Sequence, residues 1–194
     1  MIDRNDITGI VLAGGKSSRM GTDKGFLKLD NVTFMERLIE TLKPFVNEIM
    51  IVSNNDKYEQ FGYKRLDDCI KDAGPLAGLY TGLYHSKTEY NLVLSCDVPF
   101  VNSKILSVLF EGVDPASEVI QLESEGKTMP LIAIYKKQCL QRCLDLLHDG
   151  ERRLQVAVEQ FKTKTISIDS ELNQYVQNIN TLEQFKALEH AIEH

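Results

Sequence analysis

The sequence lacks any apolar run long enough to cross a bilayer, since its longest apolar runs are strand-sized and a transmembrane helix needs roughly 20 residues. The N-terminal residues MIDRNDITG also contain no apolar signal region. From these two absences we expect a cytoplasmic protein with no membrane partner.

The chain has no excess of positive charge. It carries 22 Lys and Arg residues against 28 Asp and Glu residues, which gives a formal net charge of −6. This charge repels a polyanion unless the basic groups are gathered locally. We therefore expect no nucleic-acid partner.

Cysteine is scarce, with four residues and no CxxC pair. Nothing indicates secretion, so reduced thiols are predicted. Cys139 and Cys143 lie at helical i, i+4 spacing on an apolar face, and this pattern favours packing in the core over metal binding.

The composition that remains, 194 residues of which 43% are hydrophobic and 26% charged, fits one globular domain over residues 1–194. Short β-rich runs such as ITGIVLA and EIMIVS alternate with helical runs such as TFMERLIETLKPF. This alternation predicts an α/β, Rossmann-like fold with a mainly parallel sheet and helices on both faces. The segment TMPLIAIY lies between two helical regions and is a candidate antiparallel strand.

Capping signals mark several of the predicted helix ends. A Ser, Thr or Asn followed three residues later by Glu matches the capping box, and a glycine after a helix favours a left-handed C-cap. The predicted caps are Thr33 with Glu36, Asn180 with Glu183, Asn102, and Gly150.

The stretch VLAGGKSSRMGTDKGFLKL, residues 11–29, looks like a phosphate loop but fits neither common template. A Walker A loop ending in the GKS at 15–17 needs glycine at position 10, where the chain has Ile10. A dinucleotide fingerprint fails because Gly14 and Gly15 are adjacent. What remains is a buried strand and a loop whose glycines and cations can hold an anion, with a solvated loop as the alternative.

The pattern LAGG-x3-RMG-x2-K, residues 12–24, resembles the signature of nucleotidyltransferases that move an NMP onto a phosphate acceptor. Later motifs are similar, in the same order, to those of the molybdenum cofactor guanylyltransferase (MobA) family. They are GPLAG at 74–78, SCDVPF at 95–100, DGERR at 149–153 and NINT at 178–181. The first loop specifies the type of reaction, and the later motifs narrow the substrate.

The resemblance implies a nucleotide site at the carboxyl edge of the sheet. Lys24, Arg19 and Asp97 would carry catalysis, with Asp97 on Mg²⁺. The implied nucleotide-binding residues are Leu12, Ala13, Gly14, Gly15, Lys24, Asp68, Gly74, Gly78 and Asp97.

Physical reasoning supports the role of Asp97. It follows the apolar strand NLVLSC, so its carboxylate lies where ligands of open α/β sheets bind, and a hard oxygen ligand suits Mg²⁺. A turn or cap aspartate before Pro99 is the alternative. Asp68 is assigned by its motif position alone, with a turn residue as the alternative.

Acceptor contacts follow from the resemblance as well. It places Asn178 and Asn180 toward the pterin phosphate, together with Arg152 and Arg153, whose guanidinium forks can hold phosphate bidentately. Plain surface charges and a helix cap are the alternatives for these residues. Asn54 follows the IMIVS strand on the same edge and is expected to touch the nucleoside.

No histidine lies in these motifs, and an ionised acceptor phosphate needs no general base. The implied reaction has the phosphate of molybdopterin, with or without molybdenum, attack the α-phosphorus of GTP and release pyrophosphate. Molybdenum-insertion proteins or recipient molybdoenzymes are expected as transient partners. A cytidylyl- or sugar-phosphate nucleotidyltransferase and a non-catalytic nucleotide-binding regulator are the alternatives.

Overall fold

The computed structural model describes residues 2–14, 23–181 and 183–187. Its strands are β1 (Ile7–Leu12), β2 (Lys28–Leu29), β3 (Val32–Thr33), β4 (Glu48–Val52), β5 (Lys64–Leu66), β6 (Tyr90–Ser95), β7 (Val119–Ser124), β8 (Lys127–Lys136) and β9 (Thr163–Ser167). Its α-helices are α1 (Phe34–Leu42), α2 (Gly74–His85), α3 (Ser103–Glu111), α4 (Cys139–His148), α5 (Leu154–Val158) and a last one over residues 183–187. Short 3-10 helices cover Arg4–Asp6, Lys24–Phe26, Asp56–Phe61 and Ser170–Val176.

Seven strands form one sheet in the order β5-β4-β1-β6-β8-β7-β9, and β2 pairs with β3 in a separate hairpin. Strand β8 runs antiparallel to both of its neighbours, whereas the other adjacent pairs of the large sheet are parallel. The predicted mainly parallel sheet is confirmed, and so is the antiparallel strand predicted in TMPLIAIY.

Helices cover both faces of the sheet because the central strand is apolar on both sides. Every residue of β1 is buried, which is typical of a parallel strand inside a sheet. Val11 belongs to the core formed with α1 and α3, and Ile10 belongs to the core formed with α2, α4 and α5. The prediction of helices on both faces of the sheet is therefore confirmed.

The strand order reverses beside β1. The chain passes from β1 to β4 and β5 on one side and then crosses to β6 on the other. In open α/β sheets this reversal opens a crevice at the carboxyl ends of the strands, where ligands bind. The segments that follow β1 and β6 are thus brought to one place.

Most helix ends match the sequence signals. Thr33 Oγ1 accepts from the Glu36 N–H at 3.1 Å, and Glu36 Oε2 accepts from the Thr33 N–H at 2.7 Å, so this capping box is confirmed. Asn102 Oδ1 accepts from the Ile105 N–H at 3.2 Å at the start of α3. Gly150, with φ of +86°, follows the end of α4 in the left-handed conformation.

The capping box predicted for Asn180 and Glu183 is wrong by one residue. Thr181 Oγ1 accepts from the Gln184 N–H at 3.1 Å, and Gln184 Oε1 accepts from the Thr181 N–H at 3.2 Å. Thr181 therefore caps the helix over residues 183–187. The Asn180 side chain is engaged instead by Lys24, a contact that local sequence does not reveal.

The four cysteines are free thiols, as predicted. Cys139 and Cys143 are both fully buried in the core under α4, and burial raises the pKa of the Cys143 thiol to about 12. In the part of the chain that the structure describes, no helix is both long and apolar enough to span a bilayer.

Candidate functional site

A cavity of about 760 Å³ lies at the carboxyl ends of β1, β4 and β6. It brings together eight of the residues proposed for the site from the sequence. They are Leu12, Ala13, Gly14, Asn54, Asp68, Gly74, Gly78 and Asp97. Parallel strands end at the same edge of a sheet, which is why residues as distant in sequence as Leu12 and Asp97 meet here.

Three polar side chains from distant parts of the chain meet at Asp97, which lines this cavity. Lys24 Nζ lies 3.0 Å from Asp97 Oδ1 and donates a hydrogen bond of 2.7 Å to Asn180 Oδ1. The Lys24 side chain is 12% exposed and that of Asp97 is 34% exposed. A charge this sheltered interacts more strongly with an incoming phosphate than a solvated surface lysine does.

Asp97 is held at the sheet edge through its backbone, and its carboxylate pairs with Lys24. Its N–H donates to Ser95 Oγ at 3.3 Å, and its carbonyl accepts from the Ile179 N–H at 2.8 Å. The cap of the following helix α3 is Asn102. Asp97 is therefore not the cap of α3. It does lie in a turn, closed by the Val98 N–H bond to the Ser95 carbonyl at 3.2 Å, and its carboxylate pairs with Lys24.

Asp68 and Asn54, which also line the cavity, form a reciprocal pair. Asn54 Nδ2 donates to Asp68 Oδ2 at 3.0 Å, and the Asp68 N–H donates to Asn54 Oδ1 at 2.9 Å. Burial and the neighbouring Asp67 charge raise the pKa of the Asp68 carboxyl, while the hydrogen bond from Asn54 opposes this shift. The pair presents a fixed acceptor and donor to whatever occupies the cavity.

The GPLAG segment forms the first turns of α2, with Pro75 in the first turn. Gly74 has φ of +69°, and a Cβ there would lie 3.0 Å from the Arg152 carbonyl oxygen. A Cβ at Gly78 would lie 3.3 Å from the Leu12 side chain. Both glycines therefore allow close packing within the protein, in addition to lining the cavity.

The acceptor-side candidates divide in the structure. Asn178 and Asn180 are both exposed and neither lines the cavity, but Asn180 accepts a hydrogen bond from Lys24, which pairs with the cavity residue Asp97. Arg153 pairs with Glu151 at 2.9 Å, and its side chain is 73% exposed. The remaining candidates, Gly15 and Arg19, lie outside the described residues.

Several cavity residues had no role in the sequence interpretation. Asp23, Asn55, Asp72 and Ser95 also line the cavity. Asp23 precedes Lys24 inside the first motif, and Asn55 follows Asn54, so adjacency to an assigned residue was the available signal. Asp72 has φ of +54°, a backbone conformation that the sequence pattern did not indicate.

The fit of the site to Mg²⁺ depends on one carboxylate. Across residues 2–14, 23–181 and 183–187 no group of three His, Cys, Asp or Glu side chains is placed to hold a metal ion. Magnesium usually takes only one or two protein carboxylates, together with substrate phosphate oxygens and water. Asp97 therefore suits a Mg²⁺ ion that arrives with a nucleotide, and does not form a complete cage by itself.

Comparison with known proteins agrees with the motif resemblance. Residues 9–163 match the family described as MobA-like NTP transferase domain. A Flavobacterium johnsoniae protein named "Probable molybdenum cofactor guanylyltransferase" is 32% identical over 182 residues, which cover 94% of this chain and 96% of the relative.

Solved structures share the fold at lower identity. Molybdopterin-guanine dinucleotide biosynthesis protein A from Archaeoglobus fulgidus superposes with a TM-score of 0.80 and 23% identity, covering 96% of this chain and 98% of that one. 4-Diphosphocytidyl-2C-methyl-D-erythritol synthase from Anaerococcus prevotii gives a TM-score of 0.79 at 11% identity, covering 100% and 98%. Proteins whose names refer to different nucleotides thus share this fold. The family match rests on the sequence itself, over residues 9–163. The chain belongs to the MobA-like NTP transferase domain family.

Proposed function

We propose that this protein transfers GMP from GTP to the phosphate of molybdopterin, releasing pyrophosphate and forming the guanine dinucleotide cofactor. The observation that carries the proposal is the meeting of Lys24 and Asn180 with Asp97, which lines the cavity. A cation beside a hard oxygen ligand supports the binding of a triphosphate there. The similarity to a relative named as a guanylyltransferase supports the choice of substrates.

The reaction needs positioning and charge neutralisation more than proton transfer. An acceptor phosphate is already ionised near pH 7, so it can attack the α-phosphorus in line without a general base. The Lys24 ammonium neutralises negative charge that grows on the transferring phosphate and the departing pyrophosphate. Asp97 would hold Mg²⁺, which supplies further neutralisation of the phosphates when bound.

The nucleoside end of the cavity is less charged than the phosphate end. Leu12 and Ala13 from the end of β1 and Pro75 from α2 supply apolar surface suited to a base or ribose. Asp68 and Asn54 supply the polar atoms of this end. A purine fits between the apolar wall and this pair, with its phosphates directed toward Lys24.

Asn180 gives the acceptor a defined approach. Its carboxamide is exposed apart from the bond to Lys24, and its segment is tied to Asp97 through the Ile179 N–H. An acceptor phosphate bound beside Asn180 would therefore approach the α-phosphorus from the side of the 178–181 segment. In this proposal the protein acts in the cytoplasm, where it would meet molybdenum-insertion proteins or recipient molybdoenzymes transiently.

The proposal is tested by kcat/KM for GTP, ATP and CTP with molybdopterin as acceptor. ATP presents a donor where guanine has an acceptor and lacks the 2-amino donor, so buried polar groups would stay unpaired. We expect GTP to be preferred by about a hundredfold or more. A preference for CTP, or selectivity below about tenfold, would contradict the guanylyltransferase assignment and favour a related nucleotidyltransferase. Absence of pyrophosphate release with all three nucleotides would favour a binding regulator.

A further inference from the structure

Asp23, next to Lys24 in the chain, uses both of its carboxylate oxygens to hold a second segment of the protein. Its Oδ1 accepts from the Tyr58 hydroxyl at 2.5 Å, and its Oδ2 accepts from Asn55 Nδ2 at 3.0 Å. Both donors belong to the segment that follows β4, more than 30 residues away. Asp23 also lines the cavity.

The segment that Asp23 contacts is packed against the residues that follow Lys24. Tyr58 is fully buried in the 3-10 helix Asp56–Phe61, and burial raises the pKa of its phenol, so the hydroxyl stays protonated and remains a donor. Phe26 packs on the Tyr58 ring at a centroid distance of 4.6 Å and on Phe61 at 5.7 Å. Gly25 lies so close to Tyr58 that any Cβ there would collide with the phenol.

Lys24 is therefore flanked by two anchors, Asp23 before it and Gly25 with Phe26 after it. The Lys24 ammonium contacts Asp97 and Asn180, which belong to other segments than Asn55–Tyr58. A lysine on a flexible backbone would populate many conformations in which its ammonium is far from the phosphates. A fixed backbone lowers the conformational entropy that is lost when the ammonium is held in the reactive position.

We propose that Asp23 is a positioning residue for nucleotidyl transfer, which locks the backbone at Lys24 onto the Asn55–Tyr58 segment so that the lysine ammonium meets the reacting phosphates. The inference rests on the proposed function for the identity of the reaction. Direct contact of Asp23 with a phosphate is disfavoured, because two anions repel and both carboxylate oxygens already have donors.

Local capping does not account for these contacts. Asp23 also accepts from the Gly25 N–H at 3.3 Å, which begins the 3-10 helix Lys24–Phe26. Asp3 does the same for the 3-10 helix Arg4–Asp6, through the Asn5 N–H at 2.9 Å, at the amino end of β1, whereas the cavity lies at the carboxyl end of that strand. The bonds from Tyr58 and Asn55 are additional to this common turn. Asp3 therefore offers a matched control with the local role alone.

The test compares Asp23→Asn, Tyr58→Phe and the control Asp3→Asn, each alone and combined with Lys24→Ala. Tyr58→Phe keeps the ring in its packing and removes only the hydroxyl, so it reports on the contact if Asp23→Asn fails to fold. The measurements are kcat and KM for GTP, followed by radiolabelled product at high enzyme concentration so that slow variants remain measurable, and the midpoint of thermal unfolding.

We expect Asp23→Asn and Tyr58→Phe to lower kcat about tenfold while KM for GTP changes less than about twofold, and Asp3→Asn to leave both unchanged. In the Lys24→Ala background the first two substitutions should lower kcat by less than about twofold, because the group that they position is gone. Unchanged kcat in the single variants, or an equal loss with and without Lys24, would overturn the positioning role. An inactive wild-type protein would instead contradict the proposed function.

Discussion

Two cation-bearing segments, at Lys24 and at Arg153, were both expected to face phosphate, and the structure treats them differently. Lys24 is 12% exposed, and its partners Asp97 and Asn180 lie more than 70 residues away in sequence. Arg153 is 73% exposed, and its partner Glu151 is only two residues away. The first charge is fixed by the tertiary structure, whereas the second is satisfied within its own turn.

The comparison of Lys24 with Arg153 indicates which charge can contribute to ligand binding. A surface ion pair gains little free energy and is screened by salt, whereas a sheltered charge in a fixed position acts strongly on a ligand. The Glu151 carboxylate receives hydrogen bonds from Arg153 and from the Arg152 and Arg153 amides, which lower its pKa to about 2. The DGERR turn is therefore a stable local structure even without a ligand.

Substitution of Asp97 should have the largest effect on the Lys24 side of the comparison. Asp97→Asn keeps the volume and the backbone bonds but removes the charge paired with Lys24, so kcat should fall about a thousandfold or more with an unchanged unfolding midpoint. Steady-state turnover at saturating Mg²⁺ checks this, with the exposed Asp145→Asn as control. Normal turnover of Asp97→Asn would disprove the metal-binding role.

Lys24→Ala should come next, with kcat reduced about a hundredfold and the dissociation constant of GTP raised much less. The reason is that negative charge around the α-phosphate grows during transfer, so the ammonium stabilises the transition state more than the bound substrate. Turnover and equilibrium GTP binding are measured together, with Lys104→Ala on the exposed face of α3 as control. A loss of binding with unchanged kcat would make Lys24 a ground-state anchor.

Asn180→Ala should have an intermediate effect, because it removes one hydrogen bond to the Lys24 ammonium. A bond to a charged group is worth about 1.5–3 kcal/mol, so a fall of roughly tenfold in kcat is expected. Thr181→Ala is the matched control, since Thr181 caps the last described helix. Thr181→Ala should lower the midpoint of thermal unfolding and leave kcat unchanged. If Asn180→Ala lowered the unfolding midpoint and Thr181→Ala lowered kcat, Asn180 would be the cap.

Arg153→Ala should have the smallest effect of the four substitutions, because Arg153 is paired within its own turn. Its exposed side chain should leave kcat/KM for GTP unchanged and raise KM for molybdopterin by no more than about fivefold. Titration of both substrates checks this at low and moderate salt. A loss in kcat/KM for GTP as large as that of Lys24→Ala would show that both segments contact the nucleotide.

Much of the site was accessible from sequence because its residues follow strand ends. Leu12 to Gly14, Asn54 and Asp97 all lie at or just beyond the end of an apolar strand. Parallel strands end at one sheet edge, so the meeting of these residues at the cavity follows from the strand assignment. The contact between Lys24 and Asn180 did not follow from any pattern. It joins residues 156 positions apart, and Asn180 also satisfied a plausible local capping box.

The alternation of strands and helices, the antiparallel β8 and the family of the chain could be predicted from the sequence, because they follow from local periodicity and short motifs. The β2–β3 hairpin and the partners of the polar side chains were visible only in the folded structure. Asp23 has the same capping pattern as Asp3, yet it also binds Tyr58 and Asn55 because chain folding brings the β4 segment beside it. A hydrogen bond requires its donor and acceptor to lie within about 3.5 Å of each other. The charges of the residues and their spacing along the chain do not give that distance for segments that meet only after folding.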